Sequence, residues 1–71
     1  MIKDYKNHLI RKESTVKDAL GMLDKLAADA IIFVVDGESR LLGSLTDGDV
    51  RRGLLKGRGI EESVLYFIQP N

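Results

Sequence analysis

Residues 30 to 35, AIIFVV, form the longest uninterrupted apolar run of the chain. Six residues are too few for a packed helix, and the run lacks the polar alternation of a half-exposed strand. Five of the six are β-branched or aromatic, so the segment predicts a strand covered on both faces. It is also far short of the roughly 20 apolar residues that span a bilayer. The elements on either side must therefore supply its cover.

Upstream, KESTVKDALGMLDKLAADA reads as a helix. Thr15 and Asp18 have capping-box spacing, and Val16, Ala19, Leu20, Leu23, Leu26 and Ala27 then recur at steps of three and four, forming one apolar stripe that must be buried. Before it, His8 to Arg11 is a short apolar step that predicts a brief strand. Downstream, Asp36 to Ser39 is a turn, and Leu41 to Leu45 resumes an apolar strand interrupted by Gly43, so the two strands form a hairpin. A second helix begins near Thr46 and runs to about Lys56, where Gly57 and Gly59 stop it; its apolar positions are Val50, Leu54 and Leu55. The order strand, helix, strand, strand, helix is an α/β arrangement, with a small sheet and two helices. Gly53, inside the second helix, is against propensity and predicts close packing on another helix.

Composition limits what can support this core. The chain has 71 residues, no cysteine and one histidine, so disulfides, thiolate metal sites and a histidine-based zinc site are excluded. A core of this size rarely supplies more than roughly 3 to 5 kcal/mol, which makes a partner the natural support. Eleven basic and eleven acidic residues cancel, leaving no global pull toward nucleic acid or an anionic membrane. Polar residues interrupt the first positions, where a secretory segment would be apolar, and a cytoplasmic, soluble protein is the expectation. The end of the chain, GIEESVLYFIQPN, is too apolar for a free tail.

The candidate chemistry lies in GSLTDGDVRRGLLKG. Thr46 and Asp49 stand three residues apart where the strand gives way to the helix, so a capping box accounts for them. A ligand site uses the same geometry: a helix N-terminus offers free N–H groups to a phosphate, and a carboxylate accepts two ribose hydroxyls side by side. The two readings are compatible. The basic cluster of Arg51, Arg52, Lys56 and Arg58 is either a solvated helix face that complements the C-terminal dipole or a phosphate contact, with Arg51 or Arg52 nearest the helix start. No aromatic residues interleave these charges as they do in nucleic-acid platforms. Asp47 and Asp49 lack the further ligands of a calcium loop. His8 reads as a surface or strand-edge histidine, and Tyr5, Phe33, Tyr66 and Phe67 read as core or interface residues. No nucleophile or acid and base pair can be defended, so the chain is not expected to be an enzyme.

Gly43, Thr46, Asp49 and Arg51, within IFVVDGESRLLGSLTDGDVRRGL, resemble the nucleotide-contacting signature of the CBS domain. The resemblance runs from about His8 to Gly57 and includes the element order. It implies a CBS-type β-α-β-β-α repeat, one of two that normally pack through their sheets around adenosine ligands. No cofactor is required; AMP, ADP or ATP is the implied ligand, with Asp49 taking the ribose hydroxyls, Thr46 the phosphate, and Leu9 or Ile10 with Ala30 or Ile31 lining the base pocket. The chain holds a single repeat, with a core of about residues 8 to 57, and residues 58 to 71 resemble a linker toward a missing second repeat. A homodimer, pairing two copies, is the expected substitute. TDGDVRRGLLKG further resembles CBS pairs that precede sugar-nucleotide nucleotidyltransferase domains. The resemblance thus implies a regulatory module, with a ligand-free dimerisation module as the alternative.

Overall fold

The computed structural model describes residues 8–26 and 30–70; Tyr5 and Ala27 lie outside the described residues. Four strands and two helices follow in the order β1 (Leu9–Arg11), α1 (Val16–Lys25), β2 (Ile32–Val35), β3 (Leu41–Leu45), α2 (Asp47–Leu55) and β4 (Gln69–Pro70), with a 3₁₀ turn at Val64–Tyr66 before β4. The strands form one sheet in the order β1-β2-β3-β4. β1 is parallel to β2 and joined to it through α1, whereas β2 and β3 are an antiparallel hairpin. The hairpin turn is built on Asp36, whose Oδ1 accepts from the N–H groups of Glu38 and Arg40 at 2.8 and 3.0 Å. An aspartate that bonds backbone N–H groups two and four residues on replaces a ladder at the point where the chain must reverse.

Both helices begin as the spacing predicts. In α1 the Thr15 hydroxyl accepts from the Asp18 N–H while Asp18 reaches back to the Thr15 N–H. The helix ends earlier than the apolar stripe suggests: its last residue is Lys25, and Leu26 is already extended. In α2 the same box is made by Thr46 and Asp49.

One face of the sheet carries the core. Ile10, Ile32, Val34 and Leu45 pack against Val16, Ala19 and Val50. Because side chains alternate along a strand, Leu9, Phe33, Leu42 and Ser44 point to the other face, where they remain half-buried. The central run is therefore fully covered only on the helix side.

The segment after Gly57, expected as a linker, closes onto this same domain. Gly57 has φ 99° and ends α2 in a Schellman motif: its N–H donates to the Leu54 carbonyl at 3.0 Å, and the Arg58 N–H donates to the Gly53 carbonyl at 3.1 Å. The chain then crosses the start of α1. There the Val16 and Lys17 N–H groups, which no helical carbonyl can satisfy, donate to Glu62 and Ile60 at 3.0 and 2.9 Å. Val64 and Phe67 enter the core. Gly53 is explained by Phe67, whose ring lies where a Cβ on residue 53 would stand. The close packing expected at Gly53 exists, but its partner is this returning ring and not a helix.

These contacts make the last residues part of the fold. Truncation after Gly59 removes two core side chains and two α1 acceptors, and is expected to abolish the cooperative urea transition. Phe67→Ala should cost about 3 to 5 kcal/mol, as much as a core of this size supplies. A truncated chain that still unfolds cooperatively would contradict this account.

Candidate functional site

The junction between β3 and α2 collects most of the polar chemistry. Asp49 is the one buried charged side chain among the described residues, 4% exposed, in the first turn of α2. Its position follows from the box: Thr46, extended at φ −121°, leaves the strand and presents its hydroxyl to the Asp49 N–H at 3.3 Å. In return Asp49 Oδ2 accepts from the Thr46 N–H at 2.9 Å and from the Thr46 hydroxyl at 3.0 Å. Oδ1 is held from the other side, accepting from Arg52 Nη2 and, at 3.1 Å, from Gln69 Nε2. Two carboxylate oxygens offer about four acceptor positions. All four are occupied.

Burial by itself raises the pKa of Asp49, yet the hydrogen bonds from Thr46, Gln69 and Arg52 outweigh it and hold the carboxyl below the usual aspartate value. A group whose folded pKa is depressed stabilises the fold above its unfolded value, and that stabilisation is lost as pH falls through the folded value. Asp36 and Glu62 are lowered too, Asp36 chiefly by the Arg40 N–H and Glu62 by the Gly59 N–H. Stability should therefore be flat near neutrality and fall below about pH 4, the ordinary aspartate range. Asp49→Asn should make that fall shallower, read from urea midpoints across pH. An unchanged slope in the variant would show that Asp49 is not a source of the acid sensitivity.

The strand register brings several of the other expected residues to the same end of the sheet. Ile32 pairs with Leu45, so Ile31 and Ala30, both half-buried, stand beside Thr46. His8 joins them at the start of β1, its Nδ1 2.8 Å from the Ile31 carbonyl oxygen, a strand-edge histidine. Two expected residues stand elsewhere. Ile10 pairs with Val34 two positions further in and is buried in the helix-side core, so that Leu9 and not Ile10 shares a sheet face with Ile31. Arg51 is exposed on the outside of α2 and pairs with Asp47 at 3.0 Å.

Arg52 and Gln69 are the functional neighbours that sequence reasoning did not single out for Asp49. Arg52 was legible in principle, since residues three apart share a helix face. Gln69, twenty residues away, carried no local signal. The helix start has a further property. The N–H groups of Val16 and Lys17 in α1 are taken by the returning segment, whereas nothing among the described residues accepts from the N–H groups of Asp47 and Gly48 in α2. A cavity of about 530 Å³ lies beside α1 and is lined by Leu20, Gly21, Leu23, Asp24 and Asp47. Among the described residues no three His, Cys, Asp or Glu side chains are grouped to hold a metal ion, and no helix is long and apolar enough to cross a membrane.

No protein-family model matches the chain. Uncharacterized proteins from two strains of Helicobacter pylori are 45% and 43% identical to it over 60 residues, 83% of this chain and 18% of theirs. The chain thus spans less than a fifth of the length of the curated relatives it matches. Among solved structures, the CBS-domain containing protein ATU1752 from Agrobacterium tumefaciens superposes with a TM-score of 0.76 at 19% identity, over 89% of this chain and 48% of that one. Staphylococcus aureus OpuCA gives 0.71 at 30% identity, over 89% and 50%. The fold is that of a CBS domain.

Proposed function

We propose that this chain is an adenine-nucleotide-binding CBS repeat that regulates a larger protein, and that in isolation it works as a homodimer. The observation that carries the reading is the register: Ile31, Ala30, Thr46 and Asp49 share one end of the sheet, next to a helix start whose Asp47 and Gly48 N–H groups are free to meet a phosphate. The half-buried face of Leu9, Phe33 and Leu42 is the surface on which a second repeat would pack, enclosing the ligand between two sheets. The likeness of TDGDVRRGLLKG to modules attached to nucleotidyltransferases makes such an enzyme the catalytic domain we assign to the parent protein.

Binding in this geometry is an exchange. Asp49 Oδ2 stays in the capping box, while Oδ1 gives up Arg52 and Gln69 for the two ribose hydroxyls. One pair of hydrogen bonds replaces another, so the net cost is small. The freed Arg52 guanidinium can then turn to the phosphate, and Gln69 is released from α2. Ligand occupancy is thereby coupled to the position of β4, which is the differential contact a regulatory module needs.

Isothermal titration of AMP, ADP and ATP into the 71-residue chain, with the mass in solution determined on the same sample, tests this. Micromolar binding by a dimer, lost in Asp49→Asn, is expected. Because Gln69 competes with the ribose, Gln69→Ala should tighten binding about fivefold, the worth of one hydrogen bond of roughly 1 kcal/mol. The saturation of Asp49 by internal donors favours a second reading, a ligand-free assembly module. A well-folded dimer that gives no heat with any of the three nucleotides, in either variant, would establish it.

A further inference from the structure

The flank of α2 that carries Asp49, Arg52, Gly53 and Lys56 borders, with the returning segment, a cavity of about 270 Å³. Its floor is Phe67 against Gly53, and its walls carry Arg52, Lys56, Arg58 and Tyr66. Three cations thus face a single carboxylate, Asp49, in a chain whose formal charges otherwise cancel. The concavity is a product of the fold, since Gly57 reverses the chain and Gly53 admits the ring that brings the segment against the helix.

The cations differ in their commitments. Arg52 is pinned by Asp49. Arg58 donates to Glu62 at 3.0 Å, and its guanidinium lies 4.4 Å over the Tyr66 ring. Each guanidinium is held in place and keeps N–H donors beyond the one its carboxylate uses. Lys56 has no carboxylate partner among the described residues. A solvated helix end accounts for Lys56, because a cation there offsets the C-terminal dipole. It does not account for two restrained arginines and an aromatic ring closing a hollow around that cation.

We propose that this cavity is a second binding site, for a phosphate dianion, either free or as a small monoester. Pinned guanidiniums suit the tetrahedral oxygens, since little freedom is lost when they bind, and Lys56 supplies the uncompensated charge. The site lies along the flank of α2 and adjoins the β3–α2 junction, with which it shares Asp49, Arg52 and Gln69; Lys56, Arg58 and Tyr66 belong to it alone, and a phosphate held by them needs no nucleotide at Asp49.

The test is a titration of the 71-residue chain with inorganic phosphate and, separately, with a glycerol phosphate, followed by amide proton and nitrogen resonances and compared with potassium chloride at matched ionic strength. Saturable shifts centred on Lys56, Arg58 and Tyr66 are expected, with the tighter of the two probes identifying the source. Lys56→Gln, an exposed substitution that leaves the core untouched, should weaken binding about tenfold, as loss of a charge-assisted hydrogen bond does. Shifts no larger than those in chloride, equal binding by Lys56→Gln, or shifts centred on Asp47 and Gly48 would each overturn the proposal. Failure of AMP to bind at Asp49 would leave it standing, because Lys56, Arg58 and Tyr66 are not among the residues assigned to the nucleotide.

Discussion

A single buried carboxylate joins the three parts of this small domain. Asp49 closes the first turn of α2 through Thr46, restrains Arg52 on the helix flank, and accepts from Gln69 at the far end of the chain. Uncompensated, a charge 4% exposed would be costly. With four donors it becomes a junction whose parts are mutually dependent, because losing one donor leaves a buried acceptor unsatisfied. The same junction is where the sheet end, the helix start and the returning segment meet, so the stability of the fold and the chemistry of the candidate site share one group.

The returning segment matters for a related reason. A chain of 71 residues has little apolar surface to spare, and α1, α2 and the hairpin leave both the first turn of α1 and the flank of α2 open. Residues 60 to 67 close both. Their carbonyls take the N–H groups of Val16 and Lys17, and Val64 and Phe67 complete the core. A segment that is structural at Phe67 and hydrogen-bonded to Asp49 at Gln69 is well placed to carry a signal, since any group that competes for Asp49 acts directly on it.

What the sequence made legible was local. The boxes of Thr15 with Asp18 and of Thr46 with Asp49 act over three residues, the hairpin turn is set by Asp36, and Gly57 marks the end of α2; each is read from its immediate neighbours. The CBS fold followed from the order of these elements together with the Gly43, Thr46, Asp49 string. Most of the misplacements are long-range; Arg51, which pairs with Asp47 one turn back, is the local one. Gly53 was assigned a helix partner because nothing near it in sequence points to Phe67. The stripe of α1 extended past Lys25 because apolar spacing does not report where a helix must stop to let the chain enter a sheet. Ile10 and Leu9 could not be separated until the register showed which face each takes. Residues 58 to 71 looked like a linker because the partners of this segment at Ser14, Val16 and Asp49 are far away in sequence.

The central claim is that Asp49 and Gln69 form one energetic unit across twenty residues. A double-mutant cycle measures this most directly: urea unfolding at neutral pH of the unaltered chain, Asp49→Ala, Gln69→Ala and the double variant. The account predicts a coupling energy of about 0.5 to 3 kcal/mol, the range for residues in one hydrogen-bond network. Additive losses, with no coupling beyond error, would contradict it and return Asp49 to the role of a helix cap.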